Sequence, residues 1–248
     1  MNRKSLLRAA LPAAVFALLT HGNAHAFIQF ENFNPAGVTR VVYPQQPSKH
    51  MPALVESLER ITGLDLEIHD RYLRVRESEP LPLLYAGSGM REVVPSGYAD
   101  RHYSPTARKL LLGAIRSANV YKVEENSGAA LGRVDSNQVI ELDFGDLNRI
   151  VYRDLPRETF DAGMIFLHEL VHRHLRLKDP GREEILKDSA IKGPTVEYLN
   201  RIERELGLPE RRHYAPIKIR YARDEPMWGI YFGNETDRVE FDARFVLK

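Results

Sequence analysis

The chain has 248 residues, 43% hydrophobic and 28% charged, a balance that suits one folded domain and excludes an intrinsically disordered chain. Lys and Arg total 35 against 34 Asp and Glu, so no basic surplus exists to neutralise nucleic acid or an anionic membrane surface. The absence of cysteine removes disulfides, thiolate metal sites and Cys nucleophiles together, leaving His, Asp and Glu as the strong metal ligands.

The N-terminus reads basic, then apolar, then small-x-small: Arg3-Lys4, Ala9 to Leu19, and Ala24-His25-Ala26 before Phe27. This is the pattern of a secretory signal peptide over residues 1–26. Its apolar run is too short for a membrane anchor, which needs about 20 apolar residues. Cleavage would remove Arg3, Lys4 and Arg8 and no acid, so the 35 bases fall to 32 against 34 acids in a mature chain 27–248. The expected product is exported, periplasmic or secreted from a bacterium, and not held in a membrane.

Val38 to Tyr43 is a β-rich run. Met51 to Ile61 carries apolar residues at helical spacing and stops at Gly63. Leu64 to Ile68 and Tyr72 to Val75 read as short strands. Ser104-Pro105 is a helix start, an N-cap followed by proline in the first turn, with Ala107 to Ala118 as its body. Val120 to Val123 and Val139 to Phe144 read as strands around a Gly/Ser/Asn-containing connection, as in a hairpin. A helical pattern then runs from Asp154-Leu155-Pro156 through Leu177 and ends at the turn Lys178-Asp179-Pro180-Gly181. Two more helices are expected, Arg182 to about Ile191 and Pro194 to Leu206, the second closed by Gly207. Ile217 to Tyr221, Trp228 to Phe232 and Arg238 to Leu247 return to β character. Strands on both sides of a helical middle predict a single α+β domain.

Within the longest expected helix lies His168-Glu169-Leu170-Val171-His172, a HExxH sequence. A spacing of four is just over one turn, so both imidazoles project from one face and can converge on one ion. Glu169, turned by roughly 100° from His168, falls beside that ion, where it can accept a proton from a metal-activated water. His168 and His172 are therefore candidate zinc ligands and Glu169 the candidate base. His174 lies on another helical face and is not expected to ligate.

A catalytic zinc needs a third protein ligand. The metzincin spacing would put it at Lys178 and would require glycine at Leu175, which excludes that arrangement. Glu184 and Asp188 have the Glu-x-x-x-Asp form of gluzincins, so Glu184 is the preferred ligand. Asp188, Glu183 and Glu197 are alternatives, and Asp179, in the turn itself, is the least favoured. Acids at Glu183-Glu184 also suit a helix N-terminus without any metal. Downstream, Tyr214 is a candidate donor to the oxyanion of a tetrahedral intermediate.

His168 to Tyr214 resembles the NleD-like effector-type zinc metallopeptidases and their bacterial relatives. The resemblance rests on His-Glu-Leu-Val-His, on the Glu183-Glu184 pair, and on Asn200-Arg201-Ile202-Glu203-Arg204-Glu205-Leu206-Gly207-Leu208-Pro209-Glu210-Arg211. It implies a zincin-like fold, zinc at His168 and His172, Glu169 as base, a third ligand within Glu183-Glu184, and a peptide or protein substrate. The expected activity is zinc-dependent peptide-bond hydrolysis. A non-catalytic zinc-binding domain and a cell-wall amidase on the same site are the alternatives.

Overall fold

The computed structural model describes residues 41–42, 49–69, 72–76, 83–86, 89–92, 102–126, 131–222 and 225–242. The expected signal peptide at 1–26 and the expected strand residues 38–40, 43 and 243–247 lie outside them. What they form is an α+β fold with mostly antiparallel strand pairs.

The chain runs β1 (Val41–Val42), α1 (Met51–Thr62), β2 (Leu66–His69), β3 (Tyr72–Val75), the hairpin of β4 (Leu83–Ala86) and β5 (Gly89–Glu92), α2 (Pro105–Arg116), and β6 (Tyr121–Glu125). It continues through β7 (Gly132–Val134), β8 (Ile140–Leu142), the single turn α3 (Phe144–Leu147), β9 (Val151–Arg153), a 3-10 turn at Arg157–Phe160, α4 (Ala162–Leu170), and a π turn at Val171–Leu175. The remainder is α5 (Arg182–Lys187), α6 (Gly193–Glu205), β10 (Ile217–Ala222), β11 (Glu225–Tyr231) and β12 (Arg238–Asp242).

One sheet has the order β2-β3-β1-β6-β8-β7, with β1 and β8 parallel to β6 and the other pairs antiparallel. A second sheet, β10-β11-β12-β9, is antiparallel throughout. Strand β7 ends the first sheet, and α4 packs against β7 and β8.

Helix α4 is apolar nearly all round, as a helix in the middle of a core must be. Met164, Ile165, Phe166, Leu167 and Leu170 are all buried. Its start is fixed by Asp161, which accepts hydrogen bonds from the Met164 backbone at 3.1 Å and from the Ser57 hydroxyl of α1 at 2.6 Å. Gly163 is what lets α1 come this close: a Cβ there would stand 2.2 Å from Ser57 Oγ. One side chain thus caps the helix and ties it to its neighbour.

Four expectations are corrected. The continuous helix from Asp154 to Leu177 is instead the 3-10 turn, α4 and the π turn, because Asp161 adopts an extended backbone and caps a new helix. The helix expected to reach Ile191 stops at Lys187, where Asp188 turns extended and its carboxylate accepts from the Ala190 N–H at 2.9 Å. The run Val139 to Phe144 is a strand only to Leu142, since Asp143 accepts from the Asp146 N–H at 2.9 Å and caps α3. The strands β4, β5, β7 and β9 were not anticipated, and β6 and β8, expected as a hairpin, run parallel, the antiparallel partner of β8 being β7.

Candidate metal centre

His168 lies in the last turn of α4 and His172 in the π turn that continues it. The wider turn ends at Arg176, whose left-handed backbone (φ 58°) reverses the chain. Residues 177–179 therefore fold back across the face that carries the histidines. The Leu177 carbonyl accepts a hydrogen bond from Nδ1–H of His172 at 2.7 Å, which leaves Nε2 of that ring as a lone-pair donor pointing at the site.

Asp179 completes the group. Its Oδ2 lies 3.0 Å from His172 Nε2 and 3.6 Å from His168 Nε2, and the two Nε2 atoms are 3.1 Å apart. Ligands about 2.0 to 2.1 Å from a tetrahedral zinc stand about 3.3 to 3.4 Å from one another, so this triangle has the right size for one ion. The second oxygen, Asp179 Oδ1, is buried without a hydrogen-bond partner among the described residues, as an acid awaiting a cation would be. The group His168, His172 and Asp179 could hold a metal ion.

Electrostatics agree with that geometry. Burial lowers His168, keeping its imidazole neutral. Burial also pulls His172 down, but the hydrogen bond and charge of Asp179 and the Leu177 carbonyl outweigh it and push the ring up to about 9. Burial opposes ionisation of Asp179, yet bonding to both histidines holds its carboxyl well below the usual carboxylate range. The triad is thus a strongly coupled acid–base cluster even without a cation.

Glu169 is only 5% exposed, and burial raises its carboxyl to about 8. Its side chain lies against β7, where a Cβ on Gly132 would come within 3.1 Å of Glu169 Cγ and 3.2 Å of its Oε1. Only a glycine allows the edge strand to pass this close to the base.

Tyr214 reaches the same site from the loop after α6. Its backbone N–H donates to the Ile191 carbonyl at 2.8 Å, and its phenol is held above its ordinary range first by burial and then by the facing Asp179 carboxylate. His213 beside it turns away: Nδ1–H donates to the Ala215 carbonyl at 2.6 Å.

Of the expected site residues, His168, Glu169, His172 and Tyr214 come together and Glu184 does not. Glu184 is exposed, and its carboxylate accepts from the Gly181 N–H at 2.7 Å, capping α5 instead of reaching the histidines. Glu183, Asp188 and Glu197 are exposed as well. The third carboxylate is the one from the turn, Asp179. Arg211 figured only as the end of the Asn200 to Arg211 segment, with no role assigned, and Gly132 was not anticipated. An arginine near a loop and a lone glycine carry no periodic signal that would have distinguished them.

No protein-family model, no curated protein and no solved structure matches the chain. Among the described residues no helix is long and apolar enough to cross a membrane.

Proposed function

We propose that the protein is an exported, zincin-like zinc metallopeptidase. The observation that carries this reading is the convergence of His168 Nε2, His172 Nε2 and Asp179 Oδ2 beside the buried Glu169. A zinc held by those three residues supplies Lewis acidity, lowering the pKa of a water and polarising a carbonyl.

The residues of the chain then divide the remaining work. Glu169 accepts the proton of the attacking water and passes it to the departing amine nitrogen. Tyr214 keeps its hydroxyl protonated and can donate to the oxyanion that develops as the carbonyl becomes tetrahedral. Leu177 fixes the tautomer of His172.

A peptide substrate is favoured by the edge strand. Arg133 pairs with Glu141, while Asp143 N–H donates to Leu131 O and Asp135 N–H to Val139 O. The alternation of an antiparallel ladder therefore directs the backbone groups of Gly132 and Val134 away from β8. No strand among the described residues pairs with that edge. An extended peptide can add there, beside Glu169.

The test is Glu169→Gln in the mature chain, with metal content measured alongside cleavage of a mixed-peptide library by mass spectrometry. The expected result is unchanged zinc content and a rate lower by about 10² to 10⁴. Equal cleavage by both proteins would refute the assignment.

A further inference from the structure

Beside His168, between α4 and α6, lies a small cavity of ≈ 20 Å³, room for about one water-sized group. Its walls are mostly apolar, including Phe160, Ile165 and Leu199, but besides His168 three more polar side chains line it: Thr159, Glu203 and Arg211. The hydroxyl of Thr159, fully buried, has no hydrogen-bond partner among the described residues.

Arg211 is anchored through its backbone and one edge of its guanidinium, and lies over the Tyr214 ring at 5.6 Å. Its backbone N–H donates to Asn200 Oδ1 at 3.0 Å and to Glu203 Oε2 at 2.9 Å, and its carbonyl accepts from Asn200 Nδ2 at 2.9 Å. From the guanidinium, Nε–H donates to the His213 carbonyl at 3.0 Å and an Nη2–H to the Tyr214 carbonyl. A guanidinium has five N–H donors in a fixed plane. The remaining three have no partner among the described residues, and no described carboxylate hydrogen-bonds to the group. Its charge is felt by both His168 and Asp179, so it lies within electrostatic range of the candidate metal ligands.

A half-buried cation with unused donors beside the candidate metal ligands is placed to receive an oxygen from outside. We infer that Arg211 is a substrate-binding residue whose guanidinium, at the cavity beside His168, donates to a carbonyl or carboxylate oxygen next to the scissile bond. This rests on the metallopeptidase reading. A backbone carbonyl and a C-terminal carboxylate offer the same acceptor chemistry, and they imply internal cleavage and cleavage near a chain end respectively. In either case the anchoring of Arg211 to α6 and to the Tyr214 carbonyl holds the donors still while substrate exchanges.

The experiment uses the zinc-loaded mature chain and four hydroxamates, with binding followed by calorimetry. Acetohydroxamate reports the metal alone. Three succinyl-type hydroxamates carry a methylamide, a free carboxylate, or a methylene in place of that carbonyl. Wild type is expected to bind at least one oxygen-bearing ligand about tenfold or more tighter than the methylene ligand. Arg211→Met is expected to erase that preference while leaving acetohydroxamate affinity unchanged, and Arg211→Lys to retain part of it. The stronger of the amide and acid arms identifies which oxygen is read. As a measurement independent of turnover, the Arg211 Nε–Hε resonance, identified by its loss in Arg211→Lys, should move with the oxygen-bearing ligands and not with the methylene ligand.

If wild type does not discriminate, or Arg211→Lys and Arg211→Met both discriminate as wild type does, the inference is overturned while the metal centre stands; the cavity then holds water only. If acetohydroxamate does not bind the zinc-loaded protein, the metallopeptidase reading fails and the inference with it. Should Arg211→Met not fold, Arg211→Lys and the resonance shift decide the matter alone.

Discussion

Nε2 of His172 lies 3.0 Å from Oδ2 of Asp179, seven residues further along the chain. That pairing moves the third candidate ligand from a second helix to the turn directly after the HExxH helix. It follows from two backbone events, the π turn at Val171–Leu175 and the left-handed residue Arg176. Insertions of this kind in a helix are frequent at functional sites.

The first prediction separates the two carboxylates. Asp179→Asn should weaken zinc binding by at least about tenfold, since an amide oxygen is a poorer ligand and carries no charge. Glu184→Gln should leave zinc affinity unchanged, because its carboxylate caps α5. Titration of each protein against a competing chelator measures both, and zinc loss in Glu184→Gln alone would return the ligand to the second helix.

A glycine controls the approach of strand to base. In Gly132→Ala the new Cβ would stand 2.6 Å from Ile165 Cγ2 and 3.2 Å from Glu169 Oε1, so β7 or the carboxylate must shift. Overpacking of this kind costs about 1 to 3 kcal/mol. Peptide cleavage should fall further than stability does, with metal content intact. Wild-type cleavage in Gly132→Ala would show that the strand does not hold Glu169 in place.

Tyr214→Phe removes one hydroxyl. If that hydroxyl steadies the developing oxyanion, kcat should drop by about 10² to 10³ with little change in zinc content. A rise in KM at constant kcat would assign Tyr214 to ground-state binding instead.

Glu203 carries a pH signature of its own. Burial raises its carboxyl to about 8, against which the Arg211 N–H and charge act more weakly. Between its ordinary pKa of about 4.5 and 8, the folded protein keeps a proton that the unfolded chain releases, so rising pH favours unfolding. One such group contributes at most about 1.4 kcal/mol per pH unit. Glu169 acts in the same direction in the metal-free protein. Buried His168, His174 and His213, all lowered, act in the opposite direction near their ordinary pKa of 6.5, so the signature of Glu203 is a difference: in urea unfolding of the metal-free chain at pH 5, 6.5 and 8, stability should change with pH more negatively in wild type than in Glu203→Gln. Identical slopes would mean that Glu203 is ionised in the folded state.

Much of the site was legible because it is periodic. His168, Glu169 and His172 were picked out by a spacing of four within an apolar helical pattern, and the two imidazoles do meet, Nε2 to Nε2 at 3.1 Å, although His172 lies in the π turn after α4. Met51 to Ile61 and the Ser104-Pro105 start were read from caps and apolar spacing and differ from α1 and α2 by only a few residues. Asp179 was not legible, since its position depends on a π turn and a left-handed arginine, neither of which leaves a residue pattern. Glu184 looked like a ligand because a helix N-terminus and a metal favour the same side chain. Arg211 owes its place to Asn200 and Glu203, whose bonds to its backbone connect positions 8 and 11 residues apart without periodicity.

All three candidate ligands lie within the single stretch from His168 to Asp179. Joining them closes only a short loop, and the entropy lost in doing so is small and independent of how the distant sheet β10-β11-β12-β9 is ordered. Capture of a cation is thereby a local event, able to occur as soon as α4 and its turn are formed and to be undone without disturbing the core. Removing the metal should loosen the reverse turn at 176–181 and leave the buried body of α4 protected from exchange, so that the centre behaves as a clasp on a finished fold and not as the pin that holds it together.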